Sequence, residues 1–504
     1  RIYLLGEKKK MPVTKKQKTE GVETINNHIG GQSVPASSGK YLDVQCPHDG
    51  SVIAKVGIST TADIDAAVKK ATEAYPAWSG LTVKARAQVM LKLHALLRDN
   101  ADAIADIIVK EHGKTKPEAL GDINKGNETV EYACSMPQLI GGSVLEVSRG
   151  VECREYRVPV GVVAHIVPFN FPAMVPFWTA PIALVTGNCM ILKPSEKVPM
   201  TMDYIMGLMK QAGIPDGVFQ IVNGTVESVN ALCDHPDIKA VSFVGSSKVA
   251  SLVSKRCRAN GKRVLALGGA KNHLVAMPDC NVDMCATDIV NSFSGCSGQR
   301  CMAASVLLTV GPSQKLVDAI VEKAKALVPG SGPRNVGPVI DKMSLDRIVS
   351  YIGKPEHEVL LDGRGWSKQK PDGFWVGPTI LKHKSTSDAA MQDEIFGPVL
   401  SIFECKTKEE AIAIENANPY GNAACIYTSS GATAEWFQKR FSVGMVGVNI
   451  GVPVPREPFS FGGTNASSFA DSDITGDGGV EFFTKRKKVT QKWNPPEGES
   501  NWMS

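Results

Sequence analysis

The sequence contains no apolar run long enough to cross a membrane. Its longest candidate, residues 171–185, is interrupted by Pro172, Pro176 and Pro181, whereas a spanning helix needs about 20 consecutive apolar residues. The 12 cysteines are irregularly spaced and match neither a disulfide framework nor a zinc-binding pattern. We therefore expect no membrane partner, no bound metal and a reducing compartment.

Two signatures of phosphate binding are missing as well. Gly113–Thr115 reads GKT, but the first glycine and the spacing of a phosphate loop are absent. The turns Asn223–Thr225 and Phe243–Ser247 each follow an apolar run, but neither matches G-x-G-x-x-G. A glycine beside a helix N-terminus still lets a phosphate approach backbone N–H groups, so both turns remain candidates for nucleotide contact.

Most of the chain also lacks an excess of one charge. The net charge is +5, but residues 1–18 contain a cluster of basic residues against the single acidic Glu7. The cluster consists of Arg1, Lys8, Lys9, Lys10, Lys15, Lys16 and Lys18. The remainder is close to neutral, which argues against a nucleic-acid surface. We predict that residues 1–28 form a disordered basic tail and that regular structure begins near Tyr41.

Two series of short apolar runs, separated by helical stretches, dominate the rest of the chain. The first series comprises 162–167, 190–192, 218–222 and 241–244, and the second 305–310, 399–404, 424–428 and 445–449. Continuous apolar strands between helices indicate parallel sheets covered on both faces, so we predict two α/β domains. The basic segment 482–493 reads as an edge strand that needs a partner, which a second subunit could provide.

Cys301 lies between the two series, in the segment Phe293–Ala304 with the sequence FSGCSGQRCMAA. The small residues Gly295 and Gly298 let the backbone come close to a bound molecule. The adjacent Arg300 favours thiolate over thiol, and the thiolate is the reactive form. Most cysteines are inert core residues, but this pattern makes Cys301 a candidate nucleophile.

Polar side chains in three further turns are candidates for the same site. Asn170, in PFNFP, offers an amide to a cleft, although asparagine also serves simply to form turns. Lys193 and Glu196, in LKPSE, follow a strand at the end where open α/β sheets bind ligands, and an exposed helix start is the alternative. Glu394 and Phe396, in EIFGP, supply a carboxylate and an aromatic ring before a sharp turn.

The motifs PFNFP, LKPSE, FVGSS, GQRC and EIFGP, in this order, resemble the aldehyde dehydrogenase superfamily over roughly residues 30–494. GAKNH, NPYGN and PVP followed by FSF look like its CoA-acylating branch. The resemblance implies an aldehyde dehydrogenase-like fold with an NAD-binding domain at 29–148 and 168–273 and a catalytic domain at 274–476. It also implies an oligomerisation arm at 149–167 and 477–495, and a homotetramer or a dimer.

The resemblance also assigns roles to individual residues. It implies that Cys301 is the nucleophile and that Asn170 holds the oxyanion. Contacts to NAD are implied for Phe169, Lys193, Glu196, Gly224, Gly245, Ser246, Glu394 and Phe396. Arg300 and Lys125 are implied to recognise a substrate carboxylate, although Lys125 stands where the branch typically has arginine.

One departure from the superfamily bears on the reaction. Hydrolytic members activate water with a glutamate four residues before the motif lysine, and that position, counted from Lys271, is Leu267. Without this base we expect acyl transfer from Cys301 to coenzyme A. The resemblance implies that the substrates are methylmalonate and malonate semialdehyde, that they are decarboxylated, and that the reaction belongs to valine and pyrimidine catabolism. A hydrolytic enzyme that uses another base is the alternative. The branch is mitochondrial in eukaryotes and cytoplasmic in bacteria, and we expect one of these two compartments.

Overall fold

The structure, a computed structural model, describes residues 22–493. The strands are β1 (Glu23–Ile25), β2 (Asn27–Ile29), β3 (Gln32–Val34), β4 (Tyr41–Gln45), β5 (Val52–Gly57), β6 (Ser143–Ser148), β7 (Val151–Pro159), β8 (Val162–Ile166), β9 (Cys189–Lys193), β10 (Phe219–Ile221), β11 (Ile238–Val244), β12 (Arg263–Leu267), β13 (Asn272–Ala276), β14 (Ala304–Val310), β15 (Val328–Pro329), β16 (Asn335–Val336), β17 (His357–Leu361), β18 (Thr379–His383), β19 (Val399–Cys405), β20 (Ala423–Tyr427), β21 (Met445–Val448) and β22 (Thr484–Lys492).

The helices alternate with these strands. They are α1 (Thr61–Ser79), α2 (Val83–Asp99), α3 (Ala101–His112), α4 (Lys116–Cys134), α5 (Met136–Leu139), α6 (Met174–Val185), α7 (Met200–Ala212), α8 (Val226–Asp234), α9 (Ser247–Ala259), α10 (Val282–Ser294), α11 (Gln314–Lys325), α12 (Lys342–Val349), α13 (Gly365–Gln369), α14 (Ala389–Gln392), α15 (Lys408–Asn416), α16 (Gly431–Gln438) and α17 (Gly476–Phe483). Short 3₁₀ turns lie at Gly295–Gly298 and Asn465–Ser467.

The first predicted series of strands forms the centre of a seven-stranded sheet of order β12-β11-β8-β9-β10-β2-β3. The strands from β12 to β10 run parallel, and β2 and β3 add an antiparallel edge. The chain order reverses between β8 and β11, and such a switch point is where open α/β sheets bind ligands. The loops that leave β8 and β11 are therefore placed side by side at the carboxyl edge.

The second series forms another seven-stranded sheet, of order β17-β18-β19-β14-β13-β20-β21. It is parallel except for β17, which pairs antiparallel with β18 at the edge. The prediction of two α/β units with mostly parallel sheets is confirmed. Cys301 lies directly before β14, in the middle of this sheet.

Local sequence explains how the helices flank the sheets. Thr60 and Asp63 form a capping box at the start of α1, which satisfies backbone N–H groups that the first turn leaves free. Every residue of α6 is buried, so the long apolar run of the sequence is a core helix. None of the helices within residues 22–493 is both long and apolar enough to cross a membrane.

The predicted boundary of the N-terminal tail is wrong. Residues 1–21 lie outside the described residues, but Glu23–Ile25 and Asn27–Ile29, within the predicted tail, are strands. β1 pairs parallel with β5, and β2 extends the first large sheet beside β10. Regular structure therefore begins well before Tyr41, because Ile25 and Ile29 bury their side chains in the cores.

The predicted bounds of the arm also need correction. The separate three-stranded sheet has the order β22-β7-β6, so it takes β6 from the predicted NAD-binding domain. β8, which was assigned to the arm, is instead a central strand of the first large sheet, and its five residues are all buried. At the carboxyl end, residues 476–483 form α17, which packs on α6, and the predicted strand begins only at Thr484.

Candidate active site

Two cavities meet at Cys301. One, of about 380 Å³, is lined by loops after β8 and β11 and by Glu394 and Phe396. The other, of about 420 Å³, lies between α4, α6 and the segment before Cys301. Cys301, Phe171 and Trp178 line both. Both cavities therefore border Cys301, which has the position expected of a reactive centre.

The backbone before Cys301 makes a left-handed turn. Cys296, Ser297 and Gly298 all have positive φ, at 50°, 57° and 69°, a region that residues with a Cβ adopt at a cost. Gly298 is required because a Cβ there would collide with the carbonyl of Gly397. Ser297 Oγ donates to the carbonyl of Gly337 at 2.5 Å, which holds the turn in place.

Glu118 ties this turn to α4. Its Oε1 accepts a hydrogen bond from the backbone N–H of Cys296 at 2.6 Å, and Arg300 Nη2 lies 3.4 Å from the same oxygen. Its Oε2 accepts from the backbone N–H and the hydroxyl of Thr115, both at 2.9 Å. One carboxylate thus caps a helix, fixes the nucleophile segment and pairs with the arginine.

The expected effect of Arg300 on Cys301 is present, but burial outweighs it. Burial raises the pKa of the Cys301 thiol to about 12, and the charge of Glu394 raises it further. Arg300 lowers this pKa, but by less, because the thiol is deeply buried and Glu118 compensates the guanidinium. Ionisation of Cys301 therefore needs an additional positive charge in the cavity.

Asn170 lies beside Cys301 in the first cavity. Its Nδ2 donates one hydrogen to the carbonyl of Gln299 at 3.0 Å, which orients the amide and leaves its second N–H for another acceptor. The main-chain carbonyl of Asn170 accepts from Lys114 Nζ at 2.7 Å. Asn170 is therefore held through both its side chain and its main chain by buried groups.

The first cavity offers an anion site at the start of α9. Gly245 and Ser246, which follow β11, line the cavity. Ser246 is the N-cap residue of α9 but makes no capping hydrogen bond through its side chain. The first-turn N–H groups of this 13-residue helix are thus available to an anionic ligand, as helix N-termini commonly are.

Glu394, Phe396 and Phe169 surround the other side of this cavity. The rings of Phe169 and Phe396 meet edge to face with centroids 5.9 Å apart. Glu394 Oε1 accepts the backbone N–H of Ala270 at 2.8 Å, and burial raises the pKa of its carboxyl to about 7. A Cβ on Gly269 would collide with this carboxyl, so glycine at that position makes room for it.

Three predicted cofactor residues do not line either cavity at Cys301. Lys193 is buried at the end of β9 and donates to the carbonyl of Pro194 at 3.0 Å and to Glu196 Oε2 at 3.3 Å. Gly224 follows β10 with φ at 145°, and a Cβ there would collide with Ser228. All three lie at the carboxyl edge of the first sheet, so their contact with a cofactor stays a prediction.

Arg300 and Lys125 both line the second cavity, as expected of residues that recognise the same ligand. The lining is otherwise mostly apolar, and it includes Met302, Val454 and Phe461. Lys125 Nζ lies 2.6 Å from Glu128 Oε2, so its charge is already partly compensated.

Leu267, at the position of the absent base, ends β12 with its side chain buried in the core. The two residues that follow it, Gly268 and Gly269, line the first cavity. The sequence analysis assigned Glu394 to the cofactor and did not identify it as an acid–base group. Glu394 nevertheless lines the same cavity as Cys301, and the pKa of its carboxyl is about 7. The sequence analysis also missed Lys114 and Glu118, for which the only signal was the GKT turn followed by a T-x-x-E helix start.

This arrangement is that of a two-domain α/β enzyme whose cavities meet at one cysteine. Residues 34–489 match the profile of the aldehyde dehydrogenase family, and the chain belongs to that family. It is 43% identical, over 94% of this chain and 100% of the relative, to malonate-semialdehyde dehydrogenase 2 of Geobacillus kaustophilus. It is 41% identical, over 94% and 90%, to the human mitochondrial acylating methylmalonate-semialdehyde/malonate-semialdehyde dehydrogenase.

Solved structures show the same similarity. The methylmalonate-semialdehyde dehydrogenase of Oceanimonas doudoroffii superposes with a TM-score of 0.92 at 39% identity, over 94% of this chain and 99% of that one. A Sinorhizobium meliloti protein, provisionally named for the same activity and complexed with NAD, gives 0.93 at 36% identity, over 95% and 100%. The predicted fold and the resemblance to the acylating branch are confirmed.

Proposed function

We propose that the chain is an NAD-dependent, CoA-acylating dehydrogenase of methylmalonate and malonate semialdehyde. The observation that carries the proposal is the position of Cys301 between two cavities of different character. One has an uncapped helix N-terminus and aromatic walls, and the other is mostly apolar, with Arg300 and Lys125 as its cations. The names of the relatives support the same reaction.

The residues of the first cavity fit NAD. The uncapped start of α9, with Gly245 and Ser246, suits the pyrophosphate, because its N–H groups and helix dipole favour anions. Phe169 and Phe396 suit a planar nicotinamide, and Glu394 a ribose hydroxyl. When bound, NAD supplies the acceptor for the hydrogen and electron pair that the aldehyde carbon loses.

Cys301 and Asn170 carry out the acyl capture. The Cys301 thiolate attacks the aldehyde carbon, and the second N–H of Asn170, together with the Cys301 backbone N–H, stabilises the oxyanion. One donor of this kind contributes roughly 3 kcal/mol to the transition state. Because burial holds the pKa of Cys301 at about 12, positive charge in the first cavity is what would promote thiolate formation. Oxidation leaves the acyl group as a thioester on Cys301.

The thioester is then transferred to coenzyme A. The CoA thiolate attacks the acyl carbon and Cys301 leaves as thiolate, so the step needs no base to activate water. Leu267 is consistent with this, since its side chain cannot accept a proton. Loss of the substrate carboxylate as CO2 gives propionyl-CoA from methylmalonate semialdehyde and acetyl-CoA from malonate semialdehyde.

Arg300 and Lys125 are the cations proposed to hold that carboxylate. Both line the second cavity, but each has a carboxylate partner, Glu118 for Arg300 and Glu128 for Lys125. The substrate carboxylate would share each cation with its glutamate or displace the glutamate from it. Binding of a charged aldehyde in this cavity, which Glu118 and Asp122 also line, therefore depends on how tightly the two glutamates hold the cations.

A hydrolytic dehydrogenase is the second candidate, and one observation favours it. Glu394 lies in the same cavity as Cys301, and the pKa of its carboxyl is about 7, which suits a general base near neutral pH. If Glu394 activated water, free acid would form without CoA. Its proposed contact with the cofactor ribose competes with this role.

The decisive experiment is NADH formation from methylmalonate semialdehyde with and without CoA, with products identified by mass spectrometry. We expect turnover to depend on CoA and propionyl-CoA to be the product. Cys301→Ala should abolish turnover while NAD binding persists, and Cys296→Ala, which alters a neighbouring thiol in the same cavity, is the matched control. CoA-independent release of free acid that is lost in Glu394→Gln would establish the hydrolytic alternative.

Assembly, pathway and compartment belong to the same proposal. The sheet β22-β7-β6 exposes Val144 and Leu145 on its edge strand, at 65% and 66%, which supports association of copies, as a tetramer or a dimer, through this arm. A role in valine and pyrimidine catabolism follows from the proposed substrates. A mitochondrial or a bacterial cytoplasmic location stays a prediction.

A further inference from the structure

Two histidines and an aspartate converge at the edge of the second large sheet, outside the cavities at Cys301. His357 begins β17 and His383 ends β18, and the two are direct partners across these antiparallel strands. Asp388 is the N-cap residue of α14. One potential ligand atom from each of the three lies within 4.8 Å of the others.

The three side chains form a closed cluster. Asp388 Oδ2 lies 2.9 Å from His357 Nδ1 and 2.8 Å from His383 Nδ1. The histidine side chains are 0% exposed and that of Asp388 is 3% exposed. Asp388 Oδ1 accepts the backbone N–H of Ala390 at 2.9 Å, so the carboxylate is oriented with Oδ2 between the two rings.

Both histidines present Nδ1 to the same carboxylate oxygen of Asp388. If the hydroxyl of Ser401 donates to His383 Nε2, at 3.0 Å, a hydrogen on Nδ1 fills the 2.8 Å contact with Asp388. If that hydroxyl instead donates to the carbonyl of Ala390, at 3.0 Å, Nε2 carries the hydrogen and Nδ1 presents its lone pair, as a metal ligand does. The atoms that meet at Asp388 Oδ2 are thus the ones through which imidazoles and a carboxylate bind a cation.

We propose that His357, His383 and Asp388 bind a divalent transition-metal ion of the zinc class. Two imidazole nitrogens and a carboxylate oxygen are ligands that zinc prefers. Bonds of about 2.0–2.1 Å place two ligand atoms roughly 2.9–3.3 Å apart for angles from 90° to tetrahedral. The observed separations of 2.8 and 2.9 Å between Asp388 and the two histidines lie at the short end of this range.

The surroundings resemble the outer shell of a metal centre. A ligating histidine commonly donates its other N–H to an oxygen, and Ser401 Oγ lies 3.0 Å from His383 Nε2, where it would accept such a hydrogen. Asp388 Oδ1 is likewise hydrogen-bonded, to Ala390. His357 Nε2 is buried without a hydrogen-bond partner among the described residues, and it is the one polar atom of the cluster that a metal at Nδ1 leaves uncompensated.

The site would be structural and would support the cofactor cavity. The carbonyl of Ala390, in α14, accepts from both Ser401 and Lys271 Nζ, the latter at 2.8 Å. α14 leads directly into the loop that carries Glu394 and Phe396. A metal on Asp388 would thus join β17 and β18 to that loop, and it would take no part in the chemistry at Cys301.

Metal content is the direct test, and it is best made in a Cys301→Ser background because a thiolate also binds zinc. After purification with ZnCl2 and extensive dialysis, elemental analysis should find about one equivalent of metal per chain. His383→Gln and Asp388→Asn should lose it. His235→Gln, which alters a histidine beside Asp65 elsewhere in the chain, should retain it.

Measurements on the protein with an intact cluster test the proposal even if the variants fail to fold. Removal of the metal with a chelator should lower Tm, and ZnCl2 should restore it. Cobalt in place of zinc should give visible bands without thiolate charge transfer. Substoichiometric metal together with no response of Tm to zinc would overturn the proposal, and the cluster would then be held together by hydrogen bonds alone. Metal present in the wild type but absent in Cys301→Ser would overturn it as well.

Discussion

Lys114 Nζ donates a hydrogen bond of 2.7 Å to the main-chain carbonyl of Asn170. The lysine side chain is fully buried, forms a 3.0 Å ion pair with Asp122 and lies 4.1 Å from the ring centroid of Phe171. Asp122 in turn accepts the backbone N–H of Met174, at the start of α6, at 2.7 Å. The residue proposed to hold the oxyanion is therefore positioned by a buried charge that does not itself line the first cavity.

Variants of the Lys114–Asp122 ion pair can distinguish an effect on the position of Asn170 from an effect on the stability of the fold. Lys114→Met alone leaves Asp122 buried and unpaired, which should cost about 3–5 kcal/mol of stability. Lys114→Met combined with Asp122→Asn removes the unpaired charge and should recover much of Tm. We still expect kcat to fall, by as much as roughly 100-fold, since a small misplacement of a catalytic group is costly. A double variant with normal Tm, KM and kcat would show that Lys114 does not position Asn170.

Glu118→Gln tests whether Glu118 restrains Arg300. Glutamine still offers an oxygen to the N–H of Cys296 but no longer compensates the guanidinium. We expect KM for methylmalonate semialdehyde to fall about two- to fivefold, the range that a half-buried ion pair of up to about 1 kcal/mol provides. Propionaldehyde, which has no carboxylate, is the matched substrate, and its KM should not change. Equal changes for both substrates would contradict the assignment of Arg300.

Alkylation by iodoacetamide tests the ionisation of Cys301. Because burial and Glu394 raise its pKa to about 12, alkylation without ligands at pH 8 should be slower than that of a free cysteine, whose pKa is about 8.5. NAD should accelerate it through the positive nicotinamide ring. Glu394→Gln should accelerate it without NAD, since one source of negative charge is removed. The rate should rise with pH up to about 12, and a plateau near pH 8 would contradict this picture.

Most strands and the motif turns, including the segment that carries Cys301, could be predicted because they depend on local pattern. Apolar runs form buried strands wherever helices cover both faces, and the loops after β8 and β11 become neighbours through strand order. Lys114 and Glu118 could not be predicted in their roles, because their contacts to Asn170 and Cys296 arise only when α4 packs beside the nucleophile segment.

The spacing of the histidines in the sequence does not predict the cluster of two histidines and an aspartate at the sheet edge. His357 and His383 become neighbours through the antiparallel pairing of β17 and β18, and Asp388 approaches them through a tight helix start. The boundary errors have a similar origin. β1 and β2 are three residues each, too short for a periodic pattern, and only Val160 and Gly161 separate β7 from β8, so no long loop marks where the arm ends.

The arm predicts how assembly should respond to mutation. β6 is an edge strand whose neighbours in sequence, Val144 and Leu145, point to opposite faces, and both are about two-thirds exposed, at 65% and 66%. Such an edge attracts another chain, so Val144→Lys with Leu145→Lys should shift the protein towards smaller species. Val226→Lys, at a residue that is 71% exposed on α8, is the matched control and should leave the mass unchanged. Light scattering after size-exclusion chromatography measures both, and an unaltered mass in the double variant would exclude this face from the interface.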